Sequence, residues 1–155
     1  DAIFAEPNTP ATWCADGKPR LAYNTFDHLR KNRIYVPWQS ATQRCLHFRC
    51  PFETMRCQPL IFHRETVRQC REYFRSRNRK TYEDYVRTLK MAWGTFSEFN
   101  ILGNYAMRFH RHMYHLINFD KGYYRVPQCE QYGFTLREGR RVTEKREAHL
   151  KDLLA

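Results

Sequence analysis

The clearest order in the chain is helical and begins at residue 64. Val67, Cys70 and Phe74 recur at helix spacing on one face, while Arg64, Arg68, Arg71, Arg75 and Arg79 follow at +4, +3, +4 and +4 on another. The apolar phase continues through Tyr82, Tyr85, Val86, Leu89, Ala92, Trp93, Phe96 and Phe99. Beyond a kink expected at 100–103 it resumes with Leu102, Tyr105, Ala106, Phe109, Met113, Leu116 and Ile117. This pattern predicts two long amphipathic helices, or one bent helix, over residues 64–118. Residues 40–55 read as a short helix interrupted near Pro51, and 58–63 as a turn. Residues 123–134 read as irregular, and 137–154 as a final charged helix with Leu150, Leu153 and Leu154 on one side.

Residues 1–40 carry no such phase. Pro7, Pro10, Pro19 and Pro37 interrupt them, and only 21–33 suits a short helix. An extended arm is expected here, anchored by Trp13, Tyr23, Phe26, Tyr35 and Trp38, because long irregular segments usually lie over another surface. Nothing reads as a sheet. The expected fold class is therefore all-α, with an extended aromatic-rich arm over 1–40 and a single α-helical domain over 41–155.

Composition turns attention to partners. Aromatic residues make up 15% of the 155 residues and charged ones 28%, a pairing that suits a protein burying surface against others. The formal charge is +11, and arginine supplies 20 of the 27 basic residues. Arginine is favoured where flat, multidentate contacts to carboxylate, phosphate or aromatic faces are made. Residues 64–80 hold the largest excess, so Arg64, Arg68, Arg71, Arg75 and Arg79 are the candidate partner- or lipid-binding face. Its ligands would be acidic subunits, anionic headgroups such as cardiolipin, or RNA phosphates. No stretch approaches the ~18 uncharged apolar residues of a membrane span. The chain opens on Asp1 rather than Met, from which removal of a leading segment is expected.

Six cysteines raise the question of chemistry, four of them in Cys45-x4-Cys50-x6-Cys57-x12-Cys70. Zinc would need a second short knuckle, and a thiol redox centre a C-x-x-C; neither is present. Disulfide staples across a helix–turn–helix are the leading expectation, joining Cys50 or Cys57 to Cys70, with buried inert thiols as the alternative. The roles of Cys14 and Cys129 stay open. His110, His112 and His115 read as a solvated or interface face rather than a ligand set. Glycine-rich phosphate loops, H-E-x-x-H and a nucleophile elbow are all missing, so no enzymatic activity, cofactor or metal is expected.

Cys50-PFETMR-Cys57, followed by Cys70-REYFRSRNRKTYEDY and preceded by KNRIYVPW, resembles the coiled-coil-helix–coiled-coil-helix proteins of the mitochondrial intermembrane space. Within that group it is most similar to the PDSW accessory-subunit family of respiratory complex I. The likeness spans about residues 30–85; a second C-x9–11-C pair is absent, and Cys45 is additional. It implies a cysteine-stapled helical hairpin in a non-catalytic accessory subunit of complex I or of ATP synthase. Such a subunit is peripheral to the inner membrane, on the intermembrane-space side rather than in the matrix, and braces other subunits. The alternative expectation is a basic mitochondrial ribosomal protein contacting RNA.

Overall fold

Asp16 and Gly17 overturn the all-α expectation. Both have positive φ, 52° and 71°, the backbone that a two-residue type I′ hairpin turn requires and that Asp-Gly readily supplies. The computed structural model describes residues 2–4, 10–30, 35–55, 60–90, 94–121 and 129–131. In chain order its elements are β1 (Ala2–Phe4), α1 (Pro10–Trp13), β2 (Cys14–Ala15), β3 (Lys18–Thr25), α2 (Phe26–Leu29), α3 (Val36–Leu46) and β4 (Phe52–Glu53). There follow α4 (Arg64–Asn78), α5 (Tyr82–Arg87), α6 (Glu98–Phe109), β5 (His115–Asn118) and β6 (Cys129–Gln131).

β3 is the spine of a four-stranded mixed sheet. Its start pairs antiparallel with β2, its end pairs antiparallel with β4 (Asn24 opposite Glu53), and between them Arg20–Tyr23 run parallel to His115–Asn118 of β5. β1 and β6 form a separate two-stranded ribbon. Much of the predicted arm is thus sheet, interspersed with the four-residue helices α1 and α2, and α3 begins at Val36, with Pro37 in its first turn. The predicted final helix over 137–154 lies outside the described residues.

The predicted helical run over 64–118 is cut three times. Arg79 caps α4 in a left-handed conformation (φ 54°). Thr81 then starts α5 by accepting the Asp84 N–H at 3.1 Å, and Ser97 starts α6 by accepting the Asn100 N–H at 3.2 Å. Apolar spacing carries through these caps, but the caps decide where each helix begins. Leu116 and Ile117, predicted as helix, are instead in β5. The kink expected at 100–103 is absent: these residues lie inside α6, and every side chain from Asn100 to Met107 is buried.

α6 is buried on all sides because it meets α3, α4 and β4 together. With α3, α4 and α5 it encloses Cys45, Leu46, Cys50, Cys70, Phe74, Tyr82, Ile101, Leu102 and Tyr105. Toward the sheet, Ala106 and Met107 pack with Leu21 and Tyr114. Two asparagines join α6 to β4 by hydrogen bonds. Asn104 accepts the Phe52 N–H through Oδ1 (3.2 Å) and donates from Nδ2 to the Phe52 carbonyl (2.7 Å). One turn earlier, Asn100 Oδ1 accepts the Thr54 N–H at 2.7 Å. Gly103 lies between them, where a Cβ would overlap the Thr54 side chain.

Gly103→Ala therefore gains about 1 kcal/mol of helix propensity but must displace Thr54, whose hydroxyl is held by the Phe99 carbonyl at 2.9 Å. A net loss of about 1–3 kcal/mol is expected. Asn104→Ala, which strands both polar groups of Phe52, should cost roughly 2–4 kcal/mol. Urea unfolding checks both: the midpoint should fall at unchanged slope, and an unaltered midpoint would show that this contact does not hold the layers together.

Candidate functional site

Of the predicted cysteine set, Cys45, Cys50 and Cys70 are buried free thiols, and Cys57 lies outside the described residues. The expected staples do not form among these three, because each sulfur already belongs to the apolar core. Burial pushes the Cys50 and Cys70 thiols up to about 12 and raises Cys45 as well. Cys70 Sγ lies 3.5 Å from the Tyr82 hydroxyl, in a ring stack where Tyr82 meets Phe74 at 4.2 Å. Such thiols are packing groups rather than nucleophiles.

The predicted arginine face is exposed on α4, but its charge is partly consumed. Arg68 donates to Glu65 (Nε–Oε2 3.0 Å) and Glu72 (Nη1–Oε1 2.7 Å), and Arg71 to Glu83 at 2.7 Å. Hydrogen bonds from Arg68 and Gln69 hold the Glu65 carboxyl down at about 2. Arg64, Arg75 and Arg79 have no acidic partner among the described residues. The face is therefore a mosaic of both signs. Arg71 and Arg75 share a cleft of about 210 Å³ with Glu72 and Glu83.

The histidines do not act as a set. His112 and His115 are exposed, whereas His110 is buried. Gln69 fixes its tautomer: the amide nitrogen goes to Glu65, so the oxygen faces His110 and accepts from Nε2–H at 3.1 Å. Nδ1 then accepts from the Thr66 hydroxyl (2.9 Å), Thr66 accepts from Tyr114 (2.7 Å), and Tyr114 accepts the His63 N–H (2.9 Å). The donors of His63, Tyr114 and Thr66 all point toward Nδ1, an arrangement that suits the neutral ring. Burial lowers the His110 pKa, His112 and His63 add to the effect, and Glu65 opposes it. At the far end of the sheet, burial alone would raise the Asp120 carboxyl. Hydrogen bonds from Thr25 (2.6 Å) and Asn24 (2.8 Å) reverse this and hold it low.

A surface not singled out in the sequence has the chemistry expected of the arginine face. Three elements build it. Phe48 follows α3, Tyr73 comes from α4, and Phe109, 42% exposed, ends α6. Their rings form a triangle with centroids 5.6–6.1 Å apart. Arg108 lies over Phe48 at 4.7 Å and over Phe109 at 5.5 Å, and Arg77 lies over Tyr73 at 5.3 Å. Neither arginine has an acidic partner among the described residues. Tyr73 anchors the ledge by donating to the Leu46 carbonyl at 3.0 Å. Its members are distant in sequence, so no local motif marks it; the only signal was the exposed-type pairing Arg108-Phe109 at a helix end.

Among the described residues, no group of three or more His, Cys, Asp or Glu side chains could hold a metal ion, and no helix is long and apolar enough to cross a membrane. Compared with known proteins, the chain matches no family model, no curated protein and no solved structure.

Two outcomes follow. Alkylation of the native protein, mapped by mass spectrometry, should leave Cys45, Cys50 and Cys70 unmodified and label all three only in guanidinium; rapid native labelling or a disulfide-linked peptide would contradict the burial. For His110 the folded pKa lies below the unfolded one, so the unfolded chain binds more protons. Its contribution to stability is whole above about 6.5 and is lost as pH falls from there through the lowered folded value. His110→Gln should flatten the acid side of the stability–pH curve, and an unchanged slope would exclude His110 as its source.

Proposed function

We propose that the chain is a non-catalytic structural subunit of a larger assembly, a mitochondrial inner-membrane respiratory complex or ATP synthase, where it braces neighbouring subunits. The observation that carries this reading is the ledge of Phe48, Tyr73, Phe109, Arg77 and Arg108. Aromatic residues and arginine are the types that interface centres enrich, and here an exposed Phe109 and two exposed arginines stand beside the half-buried rings of Phe48 and Tyr73. Rings held at fixed mutual angles by Tyr73 and Tyr105 lose little entropy when a partner covers them. Arg77 and Arg108, without an acidic partner among the described residues, call for a partner surface that is acidic where it meets them. The predicted cysteine cross-link was the main argument for the intermembrane-space side. With three of its four thiols free, a peripheral position on the matrix side suits the chain at least as well.

A second reading has one observation in its favour. Arginine stacked on an exposed ring is also a platform for RNA bases, as in a ribosomal subunit. Detergent extraction of mitochondria containing the tagged chain separates the two. Co-migration with a respiratory complex or ATP synthase on native gels is expected, and Arg77→Glu with Arg108→Glu should shift the chain to a free pool while leaving its folding midpoint unchanged. Sedimentation with ribosomal particles, released by ribonuclease, would sink the proposal.

A further inference from the structure

Sharing Phe48 with the ledge is an open groove of about 600 Å³ lined by Arg30, Gln39, Gln43, His47, Phe48 and Arg49. We infer that this groove is a binding site for a phosphate group. The inference does not depend on which assembly hosts the chain.

The groove is built by an unusual local backbone. His47 takes the left-handed conformation (φ 55°) and caps α3, its N–H reaching the Gln43 carbonyl at 2.8 Å. The chain then turns back, and two α3 glutamines clamp it at Cys50. Gln39 Nε2 donates to the Cys50 carbonyl at 3.1 Å, and Gln43 Oε1 accepts the Cys50 N–H at 3.2 Å. The clamped residue is fully buried, so the segment presenting His47, Phe48 and Arg49 is fixed before any ligand arrives.

That clamp also decides what the groove offers. The Gln43 carbonyl is spent on Cys50, so its amide NH2 is the end left over, and it has no other partner among the described residues. His47 Nε2 donates to Asn78 Oδ1 at 3.2 Å, since the Asn78 amide nitrogen is occupied by the Cys45 and Phe74 carbonyls. Arg49 is exposed and has no acidic partner among the described residues. Arg30 is shared with Asp27 at 2.9 Å, and the Asp27 carboxylate is not among the groups that line the groove. Two guanidinium groups and an amide NH2 thus surround one open space with no acid in its wall.

The anion matters. A carboxylate has two oxygens and satisfies one guanidinium; a phosphate presents three and can accept from donors on three sides. The negative end of the α3 dipole opposes an anion here, but its last carbonyls are covered, Cys45 by Asn78 and Leu46 by Tyr73. The volume admits a phosphate with substituents, whether free or carried on a lipid headgroup.

The test uses the full chain in two arms. Titration calorimetry with inorganic phosphate reads a free ligand. Flotation with phosphatidylcholine vesicles, with and without cardiolipin, reads a headgroup. Binding is expected in at least one arm. There Arg49→Gln should weaken it about tenfold, the effect of one charge-assisted contact, and Gln43→Glu should weaken it at least as much. Gln43→Glu keeps the oxygen that accepts the Cys50 N–H, so its unfolding midpoint should stay near that of the parent. Arg87→Gln, on the exposed side of α5, removes the same charge elsewhere and should change little. Failure to bind in both arms, an equal loss with Arg87→Gln, or equally effective competition by acetate would each overturn the site.

Discussion

The amides of Asn100 and Asn104 decide how the sheet and the helices fit together. Each is buried within α6, where an amide with no hydrogen bond would cost several kcal/mol; Asn104 bonds both the N–H and the carbonyl of Phe52, and Asn100 accepts the Thr54 N–H through Oδ1 while its Nδ2 finds no partner among the described residues. The dependence is mutual. β4 is only two residues long and pairs with β3 at two positions, too little to be stable alone; the asparagines supply a second set of backbone partners at Phe52 and Thr54. Gly103 permits the approach that makes these bonds short. From that seam the other contacts follow, since α6 can then meet α3 and α4 on one side and the sheet on the other. The positions of the aromatic ledge and of the clamped segment after α3 are set by the same docking.

Sequence patterning reached the parts of the fold that are governed locally. The amphipathic phase from residue 64 marks the start and the core face of α4, because Val67, Cys70 and Phe74 do face the core there. It failed where two local rules competed. Thr81 and Ser97 carry cap chemistry that overrides an unbroken apolar phase, and Asp16–Gly17 carries turn chemistry that outweighs the prolines read as marking an arm. The parallel pairing of β3 with β5 joins residues about a hundred positions apart, and the four residues of β5 leave no period to read. The stretch 100–103 misled in the opposite sense. It looks like a break, yet it lies buried within α6, where Asn100 takes the Thr54 N–H from a segment distant in sequence.

The cysteine cluster shows why spacing alone is a weak guide to thiol chemistry. Cys45, Cys50 and Cys70 do converge, as the cross-link reading required, but into one apolar cluster with Phe74, Tyr82 and Ile101. A small, polarizable thiol fills such a space without leaving a polar group unsatisfied. Burial then protects it twice, by excluding reagents and by disfavouring the thiolate that would attack. The resemblance to stapled hairpin proteins rests on the same spacings and loses its main structural consequence with them.

Charge follows a parallel logic. Counting bases along α4 singled out the stripe with the greatest local excess, but i, i+3 and i, i+4 neighbours on a helix are where acids neutralise bases most readily. Arg68 lies between Glu65 and Glu72 for that reason. Among the described residues, arginines without an acidic partner gather near helix ends: Arg49 after α3, Arg64 at the start of α4, Arg75, Arg77 and Arg79 at its end, and Arg108 near the end of α6, where rings stand beside Arg77 and Arg108 in place of carboxylates. An arginine over an aromatic face keeps its full charge and most of its donors while losing mobility. The binding capacity of this chain is accordingly a property of how its helix ends converge, and helix periodicity cannot disclose it.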